Sequence, residues 1–219
     1  MNPEFWQSRW QEGRIGFNQF EVNPSLMRYW PDLKLLIGSR VFVPLCGKSI
    51  DMRWLAAQGY DVVGVELIES AIQAFFAEQN IVPTVHEHTT TSTFKYYQGQ
   101  LSGQTITLWV ADIFALTADD IGTIDAVYDK AALIALPADM RVDYSEQIHK
   151  ISGNAPQLLI TLNYDQSKKN GPPFSISDEQ VQQYYGEHYQ ISKLASEPTS
   201  IGSIPELTVT EHVWLLNHN

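Results

Sequence analysis

The sequence predicts an α/β fold: a doubly wound, mostly parallel seven-stranded sheet with an antiparallel hairpin at one edge. Three observations carry this. Short apolar runs rich in β-branched residues alternate with helical patterns over most of the chain. Strands joined through helices imply right-handed crossovers and a sheet covered on both faces. The last two strands are linked only by a short Ser/Pro/Gly stretch, too short for a crossover helix, so they pair antiparallel. The 219 residues, 44% hydrophobic and 18% charged, suit one domain spanning 1–219 with a substantial core.

The N-terminal stretch holds the densest aromatic group, Phe5, Trp6, Trp10, Phe17 and Phe20. Trp6 and Trp10 stand one helical turn apart and share a face. That face either covers the core or, with residues 1–36 acting as a helical lid, closes over a ligand site. The first strand is expected at 41–45, inside "VFVPLCGKSID". A P-loop needs a glycine where this chain has Phe42, and Pro44 has no amide proton to offer, so a polyphosphate cradle is excluded. What remains is a strand, a tight turn at Gly47 and a helix over 49–58 with Asp51 in its first turn. A strand at 61–66 and a helix at 69–79 follow. The pattern breaks over 84–103, whose Thr, Tyr and Gln content reads as an exposed hairpin. Strands at 105–111, 124–128 and 157–164 resume it, with a helix over 137–151 between the last two. A helix at 178–185 and strands at 189–195 and 207–216 complete the chain.

Composition excludes several function classes. The net charge of −11, with no dense Lys/Arg cluster, argues against nucleic acid as a partner. The first residues carry acids and amides where a signal peptide would be apolar, and no apolar run is long enough to span a membrane. The single cysteine, Cys46, cannot form an internal disulfide and fits the cytoplasm. It reads as a buried packing thiol rather than a nucleophile. Of six histidines, His86 and His88 are spaced as a metal pair in a strand, but no Cys/Asp/Glu spacing completes a site, so no metal is expected.

In an open parallel sheet, ligands bind beyond the carboxyl ends of the strands, near the point where strand order reverses. The first strand ends at Leu45-Cys46-Gly47, and Glu66 ends the second, nineteen residues beyond Gly47. An acid at that spacing is suited to accept from both hydroxyls of a ribose, the alternative being a solvated strand end. "PLCGKS" offers one glycine, too few for a pyrophosphate, so the nucleoside carries no phosphate and S-adenosylmethionine fits; Gly47 is grouped with the cofactor-binding positions. Asp112 could accept from the adenine amino group while Ile113 packs on the ring, or Asp112 could simply cap the following turn. The aromatic N-terminal segment suits a sulfonium, which gains about 0.5–2 kcal/mol over a ring face. "NYDQSKKNGPPFS", over 163–175, presents Phe174 either as a substrate wall or as part of a rigid surface turn.

At these residues the chain resembles the thiopurine S-methyltransferase family. "FWQSRWQEGRIGF", "RVFVPLCGKSIDMRWLAAQG", "VVGVEL", "YDKAALIALP" and "GPPF" appear in the family's order and spacing over essentially the full length. The resemblance implies a class I, Rossmann-like methyltransferase binding S-adenosylmethionine. It implies cofactor contacts at Trp10, Leu45, Glu66, Asp112 and Ile113, and a substrate-side role for Phe17. Three positions depart from the family pattern. Lys130 stands where the family has arginine, Asn18 where it has histidine, and Ile68 where it has serine. Lysine keeps the charge but acts as a point donor rather than a planar fork. The expected reaction is in-line methyl transfer to an aromatic or heteroaromatic thiol, with Lys130 steadying the thiolate or holding the cofactor's carboxylate end. The alternatives are methylation of halide, thiocyanate or inorganic selenium and tellurium species, and cofactor binding without catalysis. A cytoplasmic monomer acting on a small-molecule thiol is expected.

Overall fold

The computed structural model describes residues 3–87, 94–202 and 207–218. Its nine strands form one sheet: β1 Arg40–Val43, β2 Asp61–Glu66, β3 Thr84–Glu87, β4 Lys95–Leu101, β5 Gln104–Val110, β6 Ala126–Lys130, β7 Gln157–Tyr164, β8 Tyr189–Thr199 and β9 Val209–His218. The order across the sheet is β3-β4-β5-β2-β1-β6-β7-β9-β8. The five central strands, β5-β2-β1-β6-β7, pair in parallel. Chain order runs outward from β1 toward β5 on one side and resumes at β6 on the other, so the reversal lies between β1 and β6.

Among the described residues the seven α-helices are α1 Pro3–Gln11, α2 Pro24–Tyr29, α3 Asp51–Ala57, α4 Glu69–Glu78, α5 Ala118–Ile121, α6 Arg141–Ser152 and α7 Asp178–Tyr185. The central strands are apolar on both faces, as parallel strands covered on both sides must be. Val41, Val43, Val62, Tyr128 and Leu158 pack with Met52 and Leu55 of α3 and with Ile72 and Phe75 of α4. Phe42, Val63, Val127 and Leu159, one residue out of phase, pack with Tyr144 and Ile148 of α6 and with Val181 of α7. Gly64 sits where β2 is tightest. A Cβ there would lie 2.7 Å from Leu108 Cδ2 and 2.8 Å from Cys46 Sγ. Cys46 is buried as a packing thiol, and burial pushes its pKa well up.

Two expectations are corrected. The sheet has nine strands, not seven, because 84–103 does not stand off as a separate hairpin. Ser102 and Gly103 both adopt positive φ, 55° and 83°, the twist a tight two-residue turn requires, so β4 folds back on β5. Tyr97 of β4 buries its ring against Phe76, and β3 then takes the edge. The helix expected over 137–151 begins at Arg141, after a 3-10 turn at Ala138–Met140. Buried Arg141 donates from Nε to the Leu136 carbonyl at 2.9 Å and fixes that corner. The C-terminal pair is antiparallel as expected, with β9 placed between β7 and β8. The helix at 178–185 matches α7, whose start is set by the Ser177–Gln180 capping box.

Candidate active site

A cavity of about 700 Å³ opens at the carboxyl ends of β1, β2, β6 and β7. Its lining includes Leu45, Glu66, Ile113, Lys130, Ile160 and Leu162 from the sheet side, and Trp6, Arg9, Trp10, Arg14 and Phe17 from the N-terminal segment. None of α1 is buried. Trp6 and Trp10 instead meet the Phe17 ring edge-on, at centroid distances of 5.7 and 5.8 Å, so the shared aromatic face is turned to the cavity and not to the core.

Glu66 is held from both sides. Its Oε2 accepts from the Gly47 N–H at 3.0 Å and its Oε1 from the Ile68 N–H at 2.9 Å. A carboxylate offers about four lone-pair sites, so each oxygen keeps one for a ligand donor in the cavity. Burial pushes the Glu66 carboxyl above its ordinary range, against the pull of the Ile68, Gly47 and Leu67 N–H groups. The turn that supplies Gly47 is tightly constrained. Leu45 has φ 47° and Gly47 φ 52°, and a Cβ on Gly47 would sit 3.4 Å from the Trp10 ring. Gly47 itself does not line the cavity; it orients Glu66 and makes room for Trp10.

A left-handed conformation is uncommon outside glycine and concentrates at functional sites. Leu45 beyond β1 and Ala131 beyond β6, φ 71°, both adopt it, and both line the cavity on the two sides of the sheet reversal. Nothing in the sequence marks Ala131. Alanine disfavours this conformation, so its presence points away from the left-handed region until the backbone is seen.

Lys130 lines the cavity with a largely buried side chain, its Nζ 3.5 Å from Asp51 Oδ2. Asp51, 1% exposed, also accepts from Tyr128 Oη at 2.9 Å and from the Asn23 N–H at 2.8 Å. The sequence offered substrate or cofactor as the partner of Lys130, and the fold adds a buried carboxylate. Asp112 caps the 3-10 turn Ile113–Ala115 through the Phe114 N–H at 3.1 Å, while Ala111 and Ile113 line the cavity beside it. The cap engages Asp112 Oδ1 alone.

Phe174 does not line the cavity. It packs on Gly171 and lies under the Arg141 guanidinium, 5.3 Å from ring centroid to Cζ, and its backbone N–H reaches the Ile134 carbonyl. Pro172 and Pro173 of the same loop face the cavity in its place. The expected placement of the Phe174 side chain is thereby corrected: the loop reaches the cavity through its prolines. Asn18 Nδ2 and Arg9 Nε are buried without a hydrogen-bond partner among the described residues. His86 stacks on Tyr96 at 4.7 Å, His88 lies outside the described residues, and no metal-holding cluster occurs among the described residues. Sequence reasoning missed Asp51 as a partner of Lys130 and missed Glu211, which lines the cavity from β9.

The donor set fits S-adenosylmethionine. A buried carboxylate with free lone pairs suits a ribose diol, apolar Leu45 and Ile113 suit a nucleoside base, and two indole rings suit a sulfonium. No helix among the described residues is long and apolar enough to cross a membrane.

Comparison with known proteins agrees with this geometry. The model of the family described as "Thiopurine S-methyltransferase (TPMT)" matches residues 1–217. A thiopurine S-methyltransferase of Psychrobacter cryohalolentis is 64% identical over 217 residues, 99% of each chain. One of Teredinibacter turnerae is 43% identical over 219 residues, covering 100% of this chain and 99% of its own. Among solved structures, the 1,6-didemethyltoxoflavin-N1-methyltransferase of Burkholderia thailandensis superposes with a TM-score of 0.64 at 14% identity, covering 98% of this chain and 87% of its own. A TehB-like S-adenosylmethionine-dependent methyltransferase of Corynebacterium glutamicum gives 0.57 at 13%, covering 99% and 98%. These two likenesses support the fold, and the full-length sequence matches place the chain in the thiopurine S-methyltransferase family.

Proposed function

We propose that this chain methylates the sulfur of thiopurines and related heteroaromatic thiols, as one domain acting as a cytoplasmic monomer, with the segment before Asn23 as the lid; the rest of the expected 1–36 lid is corrected, since Leu26 and Trp30 are buried in the core. The observation that carries it is Glu66, a buried carboxylate held by the Gly47 and Ile68 amides at the inner wall of a cavity roofed by aromatic rings. S-adenosylmethionine, when bound, supplies a methyl group on a sulfonium that is its own leaving group. Glu66 would hold the ribose, Leu45 and Ile113 the adenine, and Trp10 the sulfonium region.

The chain's own work is alignment and exclusion of water. Trp6, Phe17, Ile134, Pro172 and Pro173 present flat apolar walls to an aromatic thiol. Alignment of a nucleophile for in-line attack is worth about 7–11 kcal/mol. Heteroaromatic thiols ionise near neutrality, so no general base is required. The Lys130 ammonium favours the anion, and the closed walls keep it from being solvated. The rings of Trp6 and Phe17 and the prolines of the facing loop suit a flat organic thiol better than a halide or a thiocyanate, which favours it over the inorganic alternatives. Incubating the purified chain with methyl-labelled S-adenosylmethionine and a panel of thiols and inorganic anions tests the reading. Label should pass to the heteroaromatic thiols, and transfer to inorganic anions alone would reject it.

A further inference from the structure

Glu211 lines the same cavity and has no part in the mechanism above. Its strand, β9, runs antiparallel to β7, so this residue near the start of β9 stands at the carboxyl end of the parallel strands, opposite Leu162. Its Oε1 accepts from Ser25 Oγ at 2.7 Å, and among the described residues Ser25 is its sole hydrogen-bond donor. The second oxygen has no hydrogen-bond partner among the described residues. On its other side, Glu211 pairs in register with Glu197 of β8, whose carboxylate is taken by Arg28 at 3.1 Å. Like charges opposite one another weaken a strand pair, so Glu211 is poorly explained by sheet stability.

A carboxylate only accepts hydrogen bonds, so the ligand atom that meets it must be a donor. A thiolate or an inorganic anion would be repelled. The sheet sets the spacing to the cationic end of the site. Lys130 is in register with Ile160 on β7, and Glu211 with Leu162 on the same strand, and both β7 residues line the cavity. One strand separates β6 from β9 and the two register positions lie two residues apart on β7, which places the two charged residues roughly 12 Å apart on the sheet. That span suits a fused ring carrying an anionic sulfur at one side and an N–H at the other.

We propose that Glu211 is a specificity residue that accepts a ring or exocyclic N–H from the heteroaromatic thiol, with Ser25 fixing its carboxylate. This rests on the thiol-methylation reading and narrows its substrate class to N–H-bearing heterocycles.

The test compares 6-mercaptopurine, which carries ring N–H donors, with benzenethiol, which has none. Glu211→Gln keeps the side-chain volume and should lower kcat/KM for 6-mercaptopurine about tenfold or more beyond any loss with benzenethiol. Ser25→Ala frees the carboxylate without removing it and should shift the same ratio in the same direction by a smaller factor, which covers failure of the first variant to fold. Equal changes for both thiols would overturn the proposal. So would a comparable loss of S-adenosylhomocysteine affinity by calorimetry, which would place Glu211 on the cofactor's ammonium. Inactivity of the unmodified chain toward both thiols would instead remove the thiol-methylation reading, a separate result read before any variant is made.

Discussion

Replacing Glu66 by glutamine changes one atom in the part of the cavity where geometry is most constrained. Each carboxylate oxygen takes one backbone N–H, Gly47 at 3.0 Å and Ile68 at 2.9 Å, leaving one lone pair per oxygen for a ribose hydroxyl. Glutamine keeps one oxygen and replaces the other with an amide NH2. That NH2 faces a backbone N–H, donor against donor, and cannot accept from the ligand. Hydrogen bonds to a charged group contribute about 1.5–3 kcal/mol, so losing one, and the charge behind the other, should weaken cofactor binding by about 1–3 kcal/mol, or about 5–150-fold. Stability should move less. The orphaned N–H costs about 1–3 kcal/mol, but burial already disfavours the charged carboxyl, and the neutral amide relieves that. Calorimetric titration of S-adenosylhomocysteine into both proteins, beside their thermal melts, gives the two quantities separately. An unchanged affinity in a variant that melts normally would remove Glu66 from the cofactor site.

Lys130→Met should lower both stability, by about 3–5 kcal/mol as buried Asp51 loses its cation, and kcat/KM for the thiol. Adding Asp51→Asn should restore stability but not kcat/KM; joint recovery would make Lys130 purely structural, and a loss of S-adenosylhomocysteine affinity would move it to the cofactor's carboxylate end. Asp129, fully buried, is pushed up to about 6 by burial, against bonds from Tyr144, Leu133 and Ala132. The folded chain therefore holds its proton more tightly than the unfolded chain, and stability falls as pH rises from about 4 to about 6. Denaturant unfolding of Asp129→Asn should show its stability relative to the unmodified chain rising by about 3 kcal/mol over that window, and a flat difference would refute the shift.

What could be read from sequence followed from local pattern. The strands at 61–66 and 157–164 match β2 and β7 residue for residue because unbroken apolar runs bounded by turns leave few alternatives. Helix α7 matches at both ends because Ser177 and Gln180 cap it and Gly186 follows it. The Glu66 spacing was legible because chain length fixes the path from one strand end to the next. The hairpin's place in the sheet was not, since β4 is held by Tyr97 packing on Phe76 of a helix about twenty residues away. Phe174 was misdirected for a similar reason: the ring under Arg141 is selected by a residue far along the chain. Glu211 is one acid in a strand of mixed polarity, and only the placement of β9 against β7 brings it to the cavity.

The exchange of arginine for lysine at position 130 weighs differently once Asp51 is in view. Asp51 is 1% exposed and must be compensated, and Tyr128 and Asn23 give it only neutral donors. The Lys130 ammonium supplies the missing charge at 3.5 Å. An anionic thiolate in the cavity would share that ammonium with Asp51. An ammonium has three donors and can face two acceptors, but its charge is divided between them. A preorganised donor aimed at a reacting atom is worth about 2.7–4 kcal/mol when fully committed, and a shared one less, whereas alignment alone reaches about 7–11 kcal/mol. Under the proposed reaction, alignment by the aromatic and proline walls would therefore carry most of the rate, and the main duty of the lysine would be to neutralise buried Asp51. Asp51 in turn holds the Asn23 amide at the base of the N-terminal segment, and Asn23 caps α2 through its own side chain. The charge proposed to steady the nucleophile and the base of the proposed lid would thus depend on the same carboxylate.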